Sequence, residues 1–214
     1  MRSTWSKHLV FTFFVCALTG VVLAQNGGFT GSEFKLTSTT FPNDGTMPVS
    51  TVYTVPSSTN AAVNICTANG APGGNQSPEL SWSGAPWETR SFVVVLYDVT
   101  ASFTHWGMYN IAPQVHSLPM NAGVNGSSYG TEVVNDFGNA QYDGPCPPAG
   151  VAPLAHQYVF TVYALSTQLT LSTPPNFPAN AETLYHALIE AARKQQILAS
   201  ASWTGFYSST PSSQ

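Results

Sequence analysis

Charge is scarce in this sequence. Asp, Glu, Lys and Arg make up only 7% of the residues, against roughly a quarter in an average soluble domain. That excludes a coiled coil flanked by charge, a basic nucleic-acid-binding surface and a charge-driven disordered tail. Cysteine is also rare, with 3 in 214 residues. Long apolar runs are missing beyond residue 24, so no later segment supplies the ~20 residues that a membrane span needs. No internal repeat appears. H-E-x-x-H does not occur, which argues against that metallohydrolase signature.

Polarity comes instead from Ser, Thr, Asn and Gln, with 17 Gly and 16 Pro. Aromatic residues reach 12% and favour strands. This composition suits an all-β, turn-rich, extracellular protein. A chain of 214 residues is long enough for one large domain that buries about 70% of its unfolded surface.

The first two dozen residues read as a secretory signal. Arg2, Lys7 and His8 form a positive front, residues 9–23 are apolar, and Val22-Leu23-Ala24 precede a cut before Gln25. The other reading of this run, an N-terminal anchor, suffers from its short length. The expected organisation is a signal at 1–24, a single domain at 25–208 and a disordered tail at 209–214. Removal of the signal takes Arg2 and Lys7 but no acid. Ten acids then face Lys35, Arg90, Arg193 and Lys194, so the secreted chain is acidic and offers no patch for nucleic acid or an anionic membrane.

Cys16 leaves with the signal. Cys66 and Cys146 remain, and an even pair in an oxidising compartment reads as one disulfide, with two buried thiols as the alternative. Asn125-Gly126-Ser127 is a glycosylation sequon; Asn75-Gln76-Ser77 is a poorer one because Pro78 follows.

Strands are expected near Phe34–Leu36, over 51–55 (TVYTV), from Leu80, over 91–97 (SFVVVLY), 105–111 (HWGMYNI) and 156–165 (HQYVFTVYAL), and over 197–207. The runs at 91–97 and 156–165 are apolar on both faces, the mark of central strands. Residues 114–155 read mostly as loop, which at that length is usually functional or disordered. The one good helix is 181–193, with Asn180 as its cap candidate and Leu184, Leu188 and Ala191 at helical spacing.

Asp98 closes one central strand and His105 opens the next, so a hairpin brings both to one edge of the sheet. His156 opens the third central strand, and Tyr158 shares its face. If that strand joins the same sheet, all four residues converge. Just before it, Gly144-Pro145-Cys146-Pro147-Pro148-Ala149-Gly150 forms a stiff loop suited to a pocket wall. Two imidazoles and a tyrosine hydroxyl offer hydrogen-bond donors, and protonated imidazoles attract anions. A carboxylate beside one imidazole fixes its tautomer and raises its pKa. The set suits a phosphate or carboxylate.

Several stretches together resemble the phosphatidylethanolamine-binding protein family, also called the Raf kinase inhibitor protein family, in its bacterial-type branch. They are Ser77-Pro78-Glu79-Leu80-Ser81-Trp82, the strand ending at Asp98, Thr104-His105-Trp106 and Asn135-Asp136-Phe137-Gly138. Tyr142-Asp143-Gly144-Pro145-Cys146-Pro147-Pro148-Ala149-Gly150, His156-Gln157-Tyr158-Val159-Phe160 and Leu198-Ala199-Ser200-Ala201-Ser202 complete them. The resemblance spans about residues 33–207. It implies a mainly β fold with a central antiparallel Greek-key sheet, a smaller second sheet and short peripheral helices. It also implies an anion pocket at one end of the sheet, built from Asp98, His105, Tyr142, Pro147, Pro148, His156 and Tyr158. Family members bind phospholipid head groups, phosphate-like anions or phosphopeptide-like ligands; some inhibit kinases or serine carboxypeptidases, and they are generally not enzymes.

The sequence departs from the family twice. Asp98-Val99-Thr100-Ala101-Ser102 stands where the family has D-P-D-x-P, which implies a less rigid loop. His156-Gln157-Tyr158 stands where it has H-R-Y, which removes a guanidinium. Residues 151–155 lengthen the approach to His156.

The leading expectation is a secreted, non-enzymatic binding protein without cofactor or metal. Its ligand would be a phosphate-like anion or phospholipid head group, and its possible partner an extracellular protease of carboxypeptidase type. Secretion excludes a cytosolic kinase as the primary target. The alternatives are a secreted hydrolase or metal-dependent enzyme that uses the His/Asp cluster, with Ser83 or Ser102 nearby, and a wall-associated surface protein.

Overall fold

The computed structural model describes residues 33–173 and 177–211. The expected signal segment, its cut before Gln25 and Cys16 lie outside them, as do residues 212–214 of the tail.

The strands, in chain order, are β1 (Lys35–Thr37), β2 (Gly45–Thr46), β3 (Leu80–Ser83), β4 (Ser91–Asp98), β5 (Phe103–Ile111), β6 (Ser117–Leu118), β7 (Thr131–Glu132), β8 (His156–Leu165) and β9 (Ile197–Tyr207). The helix α1 (Ala181–Arg193) precedes β9. β1, β3 and β6 make a small sheet in the order β1-β3-β6. The large sheet runs β2-β9-β8-β4-β5-β7. Its pairs are antiparallel except β2 with β9, which is parallel.

β4 and β8 are central because their residues are apolar on both faces. One face of β4 (Phe92, Val94, Leu96) packs with Phe160 and Val162 of β8 against Leu36, Leu80 and Trp82 of the small sheet. The other face meets α1: Val93, Val133 and Leu165 pack with Leu184, Leu188 and Ala191. α1 begins as the sequence predicts. The Asn180 side chain accepts from the Thr183 backbone N–H, and the Thr183 hydroxyl accepts from the Asn180 N–H, a reciprocal cap worth about 1 kcal/mol.

Two expectations need correction. Residues 51–55 are not a strand. A short 3-10 turn covers Val49–Thr51, held by the Thr51 N–H and hydroxyl on the Pro48 carbonyl. Beyond it the backbone bonds to loops: the Tyr53 N–H donates to the Pro145 carbonyl and the Val55 N–H to Asn64 Oδ1. The apolar residues of that stretch, Val52, Tyr53 and Val55, pack on the core without a neighbouring strand. The tail is also ordered farther than expected. Ser209 is buried and its hydroxyl donates to the Cys66 carbonyl at 2.9 Å, while Thr210 Oγ1 accepts from the Gly150 N–H.

Candidate ligand-binding site

The site begins with strand register. Asp98 at the end of β4 stands opposite Tyr158 of β8 and opposite Phe103 of β5. Only Val99–Ser102 connect β4 to β5. Leu96 pairs with Trp106, but the next residue, Tyr97, pairs with Thr104. His105 is therefore an extra residue, a β-bulge. Strict alternation would send His105 and Trp106 to opposite faces. The bulge puts both side chains on the buried side, and such bulges re-aim side chains beside functional sites. His105 is 3% exposed and Trp106 is fully buried.

Asp98 is paired with His156. Its Oδ2 lies 2.7 Å from His156 Nδ1. Its Oδ1 accepts the Thr100 and Ala101 backbone N–H groups at 2.8 and 3.0 Å. The Thr100 hydroxyl in turn accepts from the Gln157 N–H, and the Val99 N–H donates to the Gln157 carbonyl. The 98–102 loop thus replaces the stiffness of the missing prolines with four hydrogen bonds, contrary to the expectation of a loose loop. The partner of Asp98 is the distant His156, and both of its oxygens are occupied by protein.

His105 is held differently. Its Nδ1 lies 2.8 Å from the Asp143 carbonyl and 3.1 Å from that of Gly144. Carbonyls only accept, so Nδ1 carries the proton, and the neutral ring presents Nε2 as an acceptor. Burial is the main influence on this ring and pulls its pKa below the ordinary histidine value; the carbonyls and the charges of Asp98 and Asp143 oppose it. Neither Nε2, of His105 or of His156, is hydrogen-bonded to a described residue. The neutral His105 ring therefore offers an acceptor where a donor was expected.

Tyr158 lies between the imidazoles. Its ring centroid is 5.2 Å from that of His105, edge to face, and 6.4 Å from that of His156, nearly stacked. The ring is fully buried. Its hydroxyl lies close to Asp98 and the Cys146 backbone and has no hydrogen-bond partner among the described residues. Burial and then the Asp98 charge push its pKa well above the ordinary tyrosine range, so it is a permanent donor.

The wall is the loop from Asp143 to Pro147. Cys146 is joined to Cys66 by a disulfide, 80 positions apart in sequence. Gly144 packs on the Thr51 carbonyl so closely that a Cβ would lie 1.8 Å from that oxygen. Pro147 is buried, whereas Pro148 is exposed at the rim. Tyr142 does not join the site. Its hydroxyl donates to the Thr51 carbonyl at 2.8 Å and its ring packs edge-on against Trp106. It is a core residue, and its ligand-binding assignment is corrected. Asn75 is corrected as a glycan acceptor for a related reason. Its Nδ2 donates to Asp143 Oδ1 and its Oδ1 accepts from the Gly144 N–H. A glycan on that nitrogen would break the loop's support. Asn125 is exposed.

Sequence reasoning missed the group that organises this wall. Asp143 is fully buried and, among the described residues, faces no cation. Asn75, Gln141, Asn135 and Asn139 each donate an amide N–H to its two oxygens, at 2.8–3.0 Å. A buried carboxylate needs its lone pairs filled, and this charge-poor chain fills them with amides. The density of Asn and Gln over residues 135–143 was the available signal. The hydrolase alternative gains no geometry: among the described residues, neither Ser83 nor Ser102 is bonded to a histidine. No cluster of three or more His, Cys, Asp or Glu side chains among them is placed to hold a metal ion.

The profile of the phosphatidylethanolamine-binding protein family matches residues 37–208, most of the described chain. This chain belongs to that family. Among its relatives is the UPF0098 protein YbcL of Escherichia coli, 45% identical over 113 residues, which are 49% of this chain and 61% of that protein. A UPF0098 protein of Aquifex aeolicus is 41% identical over 106 residues, 46% of this chain and 58% of that protein. The matched stretch thus spans about three fifths of those relatives. Structural similarity reaches farther. The crystal structure of E. coli YbcL, described as a new member of the mammalian family, superposes with a TM-score of 0.64 at 31% identity. It covers 83% of this chain and 99% of that one. A putative family homologue from Chlamydia trachomatis gives a TM-score of 0.59 at 26% identity, covering 82% and 97%. The mainly β, two-sheet architecture is the family's fold.

Proposed function

We propose that this family member is a secreted, non-enzymatic binding protein whose site takes up a phosphate group, free or as the monoester of a phospholipid head group. The observation that carries this reading is the pair of uncommitted imidazole nitrogens beside a buried tyrosine hydroxyl that has no partner. An unpaired buried hydroxyl costs about 1–3 kcal/mol, and a phosphate oxygen relieves that cost. Asp98 is fully engaged by protein and orients His156 without facing the ligand. A singly protonated phosphate suits the rest: its P–OH donates to one Nε2 while its oxygens accept from Tyr158 and from a protonated ring. The second pKa of a phosphate ester is about 6, so binding strengthens as pH falls toward that value.

Secretion is supported by the N-terminal pattern and by the Cys66–Cys146 bridge, since disulfides persist in oxidising compartments. The exposure of Asn125 leaves it accessible to a glycan. Inhibition of an extracellular protease remains our proposal for the protein-level role, resting on family likeness alone.

Calorimetric titration with inorganic phosphate and with phosphoethanolamine tests the site, run beside the double variant His105→Ala/His156→Ala. The expected result is saturable binding by the wild type that the variant loses while staying folded. Absence of binding by the wild type, or equal binding by the variant, overturns the reading.

A further inference from the structure

The opposite face of the large sheet carries a second concavity. It has a volume of about 640 Å³, within the ordinary range for a small organic ligand. α1 covers only one end of that face. Tyr97 and Tyr163 rise from the sheet, Tyr185 and Leu188 descend from the helix, and Asp136 and Glu182 complete the polar part of the lining. Among the described residues no Lys, Arg or His lines it, although His186 Nε2 lies 3.7 Å from Glu182 Oε1 beside it. In a chain with 7% charged residues, two acids and no base in one apolar groove is a marked local imbalance.

The carboxylates are placed by backbone pairing. Val134 bridges Asn180 in parallel, with the Val134 N–H on the Ala179 carbonyl and the Ala181 N–H on the Val134 carbonyl. The segments leading to Asp136 and Glu182 therefore run side by side. Asp136 is fixed by the Thr104 N–H on its Oδ2 at 2.7 Å, and its Oδ1 has no partner among the described residues. The bulge at His105 contributes here as well. It keeps Thr104 paired with Tyr97, and both line this groove. Tyr97 is 37% exposed and Tyr185 is 64% exposed, so aromatic surface is available to a ligand.

We propose that this groove binds an organic cation with an apolar body, its ammonium group held by Asp136, Glu182 and the tyrosine rings. Charge complementarity selects the occupant. Anions meet two carboxylates, and His186, beside the groove, is already turned to Glu182. Neutral apolar molecules gain only the floor. A cation gains both the carboxylates and the negative faces of the rings. This site is separate from the phosphate reading, because its residues lie on the other face of β4 and β8.

The test is an NMR titration of the ¹⁵N-labelled protein with benzyltrimethylammonium, and in parallel with benzyl alcohol and benzenesulfonate. Saturable shifts are expected at the amides of Tyr97, Glu182 and Tyr185 for the cation, with the neutral and anionic probes at least about five-fold weaker. Glu182→Gln and Tyr185→Ala, both exposed positions, should each weaken the cation about five-fold. His105→Ala/His156→Ala should leave it unchanged, which separates this result from the fate of the phosphate site. Equal binding of benzyl alcohol, or no effect of either groove variant, overturns the proposal. So does a concentration-dependent dimer abolished by Tyr185→Ala, which would assign the groove to a second copy of the chain.

Discussion

The Asp98 carboxylate reaches past its strand partner Tyr158 to bond His156 at 2.7 Å, and leaves His105 to two backbone carbonyls. The two imidazoles thus have different supports. One is hydrogen-bonded to a carboxylate; the other is buried against carbonyls and favours the neutral form.

The Asp98 contact gives the first prediction. Asp98→Asn retains an oxygen for the Thr100 and Ala101 N–H groups but turns a donor toward the donor nitrogen of His156. A stability loss of about 1–3 kcal/mol is expected, with weaker phosphate binding at pH 6. Urea unfolding and calorimetry measure both. Wild-type values for both would show that the pair contributes nothing.

His105 gives a stability prediction with a definite sign. Its folded pKa lies below its ordinary value of 6.5, so the unfolded chain takes the proton first. Stability from this group is present above pH 6.5 and is lost as pH falls from there toward the folded pKa. The slope is at most about 1.4 kcal/mol per pH unit for one proton. His105→Asn keeps an N–H near the carbonyls but cannot titrate, so it should flatten this limb. Parallel pH profiles for variant and wild type would refute the assignment.

Glu132 behaves in the opposite sense. Its Oε2 accepts from Trp106 Nε1 at 2.8 Å, its Oε1 has no partner among the described residues, and burial raises its pKa from 4.5 to about 8. The folded state holds a proton that the unfolded state releases, so stability declines as pH rises from 4.5 to about 8 and then levels off. Glu132→Gln retains the Trp106 bond and removes the decline. It should be more stable than wild type at pH 9 by on the order of 2 kcal/mol. A variant less stable than wild type at that pH would show that the carboxyl finds a partner when ionised.

Asp143 is the deepest support of the wall. Asp143→Asn sets an amide donor against amides that already donate, which should cost about 2–4 kcal/mol and weaken phosphate binding through the displaced His105 carbonyl contacts. Loss of the Cys66–Cys146 link, in Cys66→Ser/Cys146→Ser, should cost about 4–5 kcal/mol in the chain-entropy model for so long a loop. Denaturant midpoints measure both. Changes below about 1 kcal/mol would contradict the role given to this loop.

Much of this fold was legible in the sequence because each element carried one dominant signal. β8, α1 and β9 begin and end where apolar runs and the Asn180 cap place them. The convergence of Asp98, His105, His156 and Tyr158 followed from strand ends. Their pairing did not. The bulge at His105 is a register slip, and a period-2 pattern carries no trace of it. The fate of Tyr142 depended on whether its hydroxyl met a carbonyl 91 residues away, a tertiary fact. The 51–55 stretch failed because its backbone meets loops, where a strand would need a strand. Asp143 escaped notice because amide donors, unlike arginine, have no distinctive spacing.

The most direct measurement follows the ring protons of His105 and His156 by NMR across pH, with and without inorganic phosphate. If the site takes up phosphate with a proton, the apparent pKa of one of the two rings rises when phosphate is present, and the Tyr158→Phe variant weakens the effect. Identical titration curves with and without phosphate would contradict the account.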